Sequence, residues 1–184
     1  MITIPAQYWD RMLDEFARRK RAVEQVCYFD GIRCGEDGVV VTLTFPHAQL
    51  FPDHFEVSPD AMSQAGKHLR RFQTRRLAQV HTHPGSWVGH SAWDDAKAYS
   101  QLDGALSLVL PNHARARPRL EQAGVHVRTA TGWEQLTTQN AAEVVRIVPS
   151  FLDFRADMEN PHERPNIQPS RKRPWWSFIA FWRD

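Results

Sequence analysis

The stretch LAQVHTHPGSWVGHSAWDDAKAYSQ, residues 77–101, changes from a strand pattern to a helix pattern through a loop that contains glycine. Residues 77–84 are predicted to form a short strand, and Ser91 is a suitable N-cap for the helix that follows. The next apolar run, ALSLVLP, has the composition of a buried strand. A strand, a helix and a second buried strand in this order require a sheet with helices packed against it.

The other segments predict the same mixed architecture. Apolar residues recur at helical spacing between residues 6 and 20. Strand-forming residues flank the turn sequence GEDG, and the first of these two strands is expected to contain Glu24 and to end at Asp30-Gly31. We therefore predict an α/β domain with one mixed central β-sheet flanked by helices. Its further predicted segments are a hairpin at 22–45, an irregular connection at 46–59, a helix at 59–75 capped by Ser58, and one or two strands within 125–136.

Length, composition and charge narrow the possible functions. With 42% apolar residues, the 184-residue chain can form a packed core of ordinary size. Its 23 basic and 21 acidic residues give a net charge of +2, so no nucleic-acid partner is expected. The predicted domain covers residues 1–148, and a proline-rich, tryptophan-rich tail covers residues 149–184. The end of that tail, PWWSFIAFWRD, could fill a groove of the domain, dock on a partner, or anchor at a membrane interface.

The cysteines and the N-terminus indicate a compartment. Cys27 and Cys34 have neither zinc-knuckle spacing nor a disulfide framework around them, so a reducing cytoplasm is expected. The first residues carry charges throughout and lack the apolar core of a signal peptide. No apolar run approaches the length of a membrane span, so a membrane association of the domain is not expected.

His81 and His83 stand at positions i and i+2 of the predicted strand, so their imidazoles face the same side. Imidazole is a preferred ligand of zinc, and Asp94, in the first turn of the helix capped by Ser91, can supply a third. Asp95 points about 100° away around the helix and is less suitable. The alternative is that the histidines are surface residues and that Ser91 and Asp94 only cap a helix. His90, inside the loop, is expected at the rim of the site.

The whole string H-x-H, seven residues, S-x-x-D, with Pro84 after the second histidine, resembles the motif of the JAMM (JAB1/MPN/Mov34) metalloproteases. The resemblance extends over about residues 5–140 and implies the MPN/JAB, cytidine-deaminase-like architecture. The helix after Ser91 passes almost directly into the next strand, without the insertion that eukaryotic deubiquitinases of this family often carry. The chain therefore resembles the compact bacterial JAB-domain proteins.

The resemblance also implies roles for individual residues. His81, His83 and Asp94 would hold a zinc ion and leave one position for water. Glu24, the only carboxylate of the first predicted strand before Asp30, would act as general base and then as general acid. The hydroxyl of Ser91 would stabilise the developing oxyanion. Relatives often have glycine and leucines directly after this glutamate, whereas this chain has QVCYF.

The implied activity is that of an isopeptidase or peptidase that cuts after the C-terminal glycine of a ubiquitin-like protein. Such bacterial proteins accompany E1-like and E2-like enzymes, in some cases in antiphage operons, or process sulfur-carrier proteins. Trp87 and Trp93 flank the site as core residues or as walls of a substrate channel. Two alternatives stay open: a non-catalytic MPN-type scaffold that binds partners, and a JAMM peptidase that acts on another amide.

Overall fold

The structure, a computed structural model, describes residues 1–19 and 21–152. Residues 1–151 form one compact unit. Within the described ranges, no helix combines the length and hydropathy that a membrane crossing requires. The PWWSFIAFWRD segment lies outside the described residues.

The helices and strands of the described residues, in chain order, are β1 (Ile2–Pro5), α1 (Ala6–Ala17), β2 (Val26–Cys34), β3 (Asp37–Thr44), β4 (Ala48–Leu50), β5 (Phe55–Val57), α2 (Pro59–Arg71), β6 (Arg75–Thr82), α3 (Ala92–Lys97), β7 (Leu106–Leu110), β8 (Gly124–Thr129), β9 (Gly132–Gln135), α4 (Thr138–Val144) and β10 (Val145–Val148).

Eight strands form one mixed sheet in the order β10-β1-β3-β2-β6-β7-β8-β9. β1 runs parallel to both β10 and β3, and β6 runs parallel to β7. The other neighbours are antiparallel. The predicted fold class, a mixed α/β domain with a central sheet flanked by helices, is confirmed. β4 and β5 form a separate two-stranded sheet.

The central strand β2 is buried on both faces: its side chains alternate between the two faces of the sheet, and a hydrophobic cluster covers each face. Cys27 and Phe29 join the larger core, to which α1 contributes its apolar side. Val26 and Tyr28 point the other way, into a smaller cluster that includes Phe55 of β5. Val26 pairs directly with His81 on β6, so the smaller cluster and His81 share one face of the sheet. This face carries the candidate site.

The predicted hairpin is confirmed, but the predicted bounds of its first strand are wrong. β2 begins at Val26, so Glu24 precedes the strand instead of lying on it. The strand also continues beyond Asp30 and Gly31, where an irregularity shifts the register with β3. At Gly31 a β-carbon would lie 2.0 Å from the carbonyl oxygen of Val39, so the glycine marks a close approach of two strands and not a turn.

Several short elements differ from the sequence-based expectation. The predicted irregular connection at 46–59 contains β4 and β5, and β1, α4 and β10 were not predicted at all. The first helix ends at Ala17, before the basic residues, and Arg18 pairs instead with Glu15. The second helix begins as predicted, with the hydroxyl of Ser58 accepting the N–H of Ala61 at 3.2 Å. The strands β8 and β9 follow the predicted turn.

Candidate metal centre

The C-terminal end of β6 places two imidazoles on the same face of the sheet. His81 is the penultimate residue of β6, and His83 follows the strand's end. The N–H of His83 donates to the carbonyl oxygen of Leu110 on β7 at 2.9 Å, which extends the strand pairing beyond Thr82. Both histidines are buried. The backbone geometry that the i and i+2 spacing predicts is therefore present.

The third residue, Asp94, is held by a capping box at the start of α3. The hydroxyl of Ser91 accepts the N–H of Asp94 at 3.1 Å, and the N–H of Ser91 donates to Asp94 Oδ2 at 2.7 Å. The Ser91 hydroxyl also donates to the same Oδ2 at 2.7 Å. These contacts fix the carboxylate of Asp94 toward the end of β6. Asp95 points elsewhere, as the sequence predicts, and pairs with His90.

Ligand-type atoms of three residues converge at this point. His81 Nε2 and His83 Nε2 lie 3.3 Å apart, and they lie 3.3 Å from Asp94 Oδ1 and Asp94 Oδ2, respectively. Tetrahedral zinc with bonds of about 2.0–2.1 Å requires ligand atoms about 3.3 Å apart. All three side chains are buried and can supply one ligand atom each. The arrangement therefore fits a metal ion with these three residues as its ligands.

The hydrogen bond of His83 favours the tautomer that a metal ligand needs. Its Nδ1–H donates to the carbonyl oxygen of Trp87 at 3.2 Å, which leaves the Nε2 lone pair directed at the cluster. His83 Nε2 lies 3.3 Å from Asp94 Oδ2, and although burial opposes it, Asp94 and Glu24 raise the pKa of His83, so a proton or a metal cation between the two atoms would satisfy both. On His81, Nδ1 has no hydrogen-bond partner among the described residues.

Charge at the cluster follows from burial and close contact. Burial opposes ionisation of Asp94, but contacts with His81 and His83 and the hydroxyl of Ser91 hold the pKa of this carboxyl well below its usual range. Burial lowers the pKa of His81. The centre therefore holds an ionised carboxylate beside a neutral imidazole, which are the ligand forms that a metal requires.

Glu24 lies in the segment that leads into β2, and its backbone N–H donates to the carbonyl oxygen of Phe51 at 2.7 Å. Only 3% of the residue is exposed. Burial raises the pKa of Glu24 to about 8, with a smaller upward contribution from Asp94 and an opposing one from His83. The predicted general base is thus a buried carboxyl group that interacts electrostatically with two of the three ligand residues.

Two exposed tryptophans lie near the cluster in the sequence, and one of them, Trp87, contacts it. The Trp87 ring stacks on His83 with the centroids 5.1 Å apart and is 57% exposed. Trp93, interpreted from the sequence as a core residue or a channel wall, is 38% exposed and contacts His54 edge to face. Trp87 is therefore available to a ligand that approaches the centre, and Trp93 is not a core residue.

A cavity of about 590 Å³ opens beside the centre, between the β4–β5 sheet and the ends of α2 and α3. Phe55 separates the two, because it lines the cavity and its ring centroid lies 5.5 Å from that of His81. Tyr28, Met62 and Tyr99 form much of the remaining apolar lining. The metal centre and this cavity therefore share one wall.

Sequence reasoning missed the burial of three histidines near the centre, His90, His113 and His126. His90, expected at the rim, has a side chain that is only 5% exposed. His113 follows β7 and donates its backbone N–H to the carbonyl oxygen of His83 at 2.7 Å. It belongs to a left-handed turn, with φ of 54° at Asn112, 52° at His113 and 58° at Ala114. Nothing in the sequence around His113 signals this turn, because no glycine marks the positive φ values.

Known proteins offer partial likenesses. No protein-family model matches the chain. The probable metalloprotease y4jG of Sinorhizobium fredii (strain NBRC 101917 / NGR234) is 56% identical over 39 residues. The match covers 21% of this chain and 24% of that protein, so the chain spans about a quarter of the relative's length.

Two solved structures align with most of the chain. The solution structure of protein DSY2949 from Desulfitobacterium hafniense has a TM-score of 0.63 and 21% identity, covering 81% of this chain and 94% of that one. The crystal structure of AF2198, a JAB1/MPN domain protein from Archaeoglobus fulgidus, has a TM-score of 0.45 and 10% identity, covering 80% of this chain and 97% of that one. The printed name of the Sinorhizobium fredii protein, a probable metalloprotease, is consistent with the metalloprotease motif seen in the sequence.

Proposed function

We propose that this chain is a zinc-dependent metallopeptidase of the JAMM/MPN family that cleaves the amide bond after the C-terminal glycine of a ubiquitin-like protein. The observation that carries the proposal is the convergence of His81, His83 and Asp94, with ligand atoms 3.3 Å apart, beside the buried Glu24. The partial match to a probable metalloprotease supports the same class of chemistry.

Zinc fits the donor set because two imidazole nitrogens and one carboxylate oxygen are ligands that zinc accepts in a tetrahedral site. Three protein ligands are typical of catalytic zinc sites, whereas structural sites have four. When bound, the ion would supply a Lewis acid that polarises the amide carbonyl and acidifies water. His81, His83 and Asp94 would hold the ion next to Glu24, which interacts electrostatically with His83 and Asp94, and next to Trp87, which stacks on His83.

Glu24 handles the proton in the proposed reaction. As a water oxygen forms a bond to the carbonyl carbon, one of its protons moves to the Glu24 carboxylate. The same proton then passes to the amide nitrogen as the carbon–nitrogen bond breaks, which releases an amine and a carboxylic acid. A carboxyl group with a pKa of about 8 keeps the proton that it has accepted until the amide nitrogen takes it. A metal cation nearby would lower this pKa, so that the carboxylate form needed to accept the proton is also populated near pH 7.

Ser91 is proposed to stabilise the oxyanion, and this requires its hydroxyl to change partner. In the structure the hydroxyl donates to Asp94 Oδ2 at 2.7 Å. Its oxygen is held by the N–H of Asp94, so rotation about the C–O bond redirects the proton without moving the oxygen. Oxyanion donors of this kind contribute about 100- to 1000-fold in rate.

The surroundings of the centre suit an extended, glycine-terminated substrate. Gly85 and the exposed ring of Trp87 border the ligands, and a β-carbon on Gly85 would meet no atom within 4 Å. Within the part of the chain that the structure describes, β4 and β5 pair only with each other, and Phe55 of β5 contacts His81. An extended tail can add to such a sheet by main-chain hydrogen bonds. The proposed partners are a ubiquitin-like protein or its conjugate, and E1-like and E2-like enzymes of the same system.

The test is incubation of the zinc-loaded chain with a panel of ubiquitin-like proteins fused through their C-terminal glycine to a reporter. We expect release of the reporter, loss of release after chelation, and a decrease of about 100- to 10,000-fold in Glu24→Gln with zinc content unchanged. Full activity of Glu24→Gln or of the chelated chain would contradict the mechanism.

The same experiment separates the alternatives. A chain without stoichiometric zinc and without hydrolysis would be a scaffold. Zinc with no cleavage of any fusion, but with hydrolysis of other peptides, would contradict the ubiquitin-like substrate and retain the metallopeptidase.

A further inference from the structure

His90 connects α3 to the central sheet through both nitrogens of its ring. Nδ1 lies 2.9 Å from Asp95 Oδ1, in the first turn of α3. Nε2 lies 3.0 Å from the hydroxyl of Ser107, on β7. The His90 side chain is only 5% exposed. A loop histidine is thus fixed between the helix that carries Asp94 and the strand next to β6.

The partners define the protonation of this ring. Asp95 can only accept, so Nδ1–H donates to it, and the Ser107 hydroxyl donates to Nε2. The His90 ring also stacks on His126, with centroids 4.0 Å apart and planes 19° from parallel. The order Ser107, His90, Asp95 is that of a hydrolase triad, but Ser107 is completely buried, so it is not accessible to a substrate.

Other forces that could position α3 are weak. The helix has six residues, and Asp94 is its only buried side chain. A helix this short has little stability of its own and normally depends on a buried apolar face. Because α3 lacks that face, the contacts of Asp94 and the hydrogen bonds of His90 are the main links between its first turn and the sheet.

The strand that His90 reaches is directly joined to the metal ligands. Ser107 pairs with Gln79 of β6, two residues before His81. His90 therefore ties the position of the Ser91–Asp94 turn to the strand that bears His81. Metal ligands must be held to within about 0.5 Å, which a short exposed helix cannot ensure alone.

We propose that His90 is a positioning residue: through Asp95 and Ser107 it holds the first turn of α3 so that Asp94 meets His81 and His83 at metal-binding distance. The inference rests on the metal site of the proposed function, but not on its substrate. It explains why an unexposed histidine with two fixed hydrogen bonds directly precedes Ser91.

The test compares His90→Phe with His126→Phe. Phenylalanine preserves the stack of the two rings, but only the first change removes hydrogen bonds to α3. Affinity for zinc is measured by competition with a chromophoric chelator, and the ligand field is measured from the visible spectrum of the Co²⁺-loaded chain. We expect about 10- to 100-fold weaker zinc binding and an altered Co²⁺ spectrum for His90→Phe, with wild-type values for His126→Phe.

A conservative pair at Asp95 provides the rescue. Asp95→Asn keeps an oxygen that accepts from His90 and should retain zinc affinity, whereas Asp95→Ala should lose it as His90→Phe does. Both remove the same charge, so a difference between them reports the hydrogen bond. A purely structural role would lower the melting temperature of the metal-free chain without changing the Co²⁺ spectrum.

The outcomes distinguish this inference from the proposed function. If wild type binds no stoichiometric zinc, both fail. If wild type binds zinc and His90→Phe binds it equally, with the same Co²⁺ spectrum, the positioning role is overturned and the proposed function stands.

Discussion

Glu24 couples the stability of the metal-free protein to pH. Burial raises its pKa from 4.5 to about 8, so the folded protein binds this proton more tightly than the unfolded chain. The stabilising contribution of the protonated group is complete below pH 4.5 and is lost as the pH rises through about 8. Glutamine cannot ionise, so Glu24→Gln should lose less stability than wild type over this interval.

Urea unfolding of chelated protein at pH 5 and pH 9 measures the effect. We expect the free energies of unfolding of the two proteins to diverge with rising pH, with Glu24→Gln the more stable at pH 9. Curves that run parallel between the two pH values would show that Glu24 is not desolvated in the folded protein.

His126 should affect the stability of the protein in the opposite direction, with a loss of unfolding free energy as the pH falls. Burial, together with His90 and His81, lowers its pKa to about 3, against smaller upward contributions from the backbone of Ser107 and Gly124. Among the described residues, neither ring nitrogen makes a hydrogen bond of good geometry. The stability gained from a neutral His126 is present above pH 6.5 and is lost as the pH falls toward 3. His126→Phe should therefore reduce the loss of unfolding free energy between pH 6.5 and pH 4, as measured by urea titrations. An unchanged acid profile would contradict this.

The clustering of the three candidate ligands was predictable because the geometry on which it depends is local. His81 and His83 share a strand face by their spacing, and Ser91 and Asp94 share a helix turn. The other residues depend on tertiary packing. Glu24 was identified from the family resemblance, and its expected place on a strand is wrong. The burial of His90 depends on Ser107 and His126, which lie on strands far along the chain.

Among the helices and strands, most of the longer ones were predicted from the sequence, and the shortest strands were not. The hairpin, α2 and β6 are long enough for a pattern to show, and β7 is predicted from its apolar composition. β4 and β5 have three residues each, and β1 and β10 have four, which is too short for an alternating pattern to show. Their strand conformation depends on neighbours, since Ile2 pairs with Val145 across almost the whole described chain.

The packing of β8 against the loop at 84–91 provides an element-scale prediction. A β-carbon on Gly124 would lie 2.0 Å from the carbonyl oxygen of Val88, so Gly124→Ala must displace this loop. We expect a loss of about 1–3 kcal/mol in unfolding free energy and weaker zinc binding, because the loop joins His83 to Ser91. Gly85→Ala, where a β-carbon meets nothing within 4 Å, is the matched control and should change both by little. Equal effects of the two changes would argue against the contact.

At the scale of the whole molecule, the three candidate ligands lie on parts of the chain that the sheet alone does not hold together. His81 belongs to the centre of the eight-stranded sheet, His83 to the loop after it, and Asp94 to a helix with no other buried side chain. A metal ion bound to all three links the sheet, the loop and α3. Binding to the folded state alone then adds its free energy to the stability of the whole domain.

Zinc should therefore raise the melting temperature of the chain in a concentration-dependent way. At free zinc about 1000 times its dissociation constant, the expected stabilisation is about 4 kcal/mol, or about 8–16 °C for a domain of this size. Chelation should reverse the shift. Glu24→Gln should retain the shift because Glu24 is not a ligand, and Asp94→Ala should lose it. Magnesium should not replace zinc, because it prefers oxygen ligands in octahedral geometry over paired imidazoles. A shift that survives in Asp94→Ala would place the bound zinc at another site.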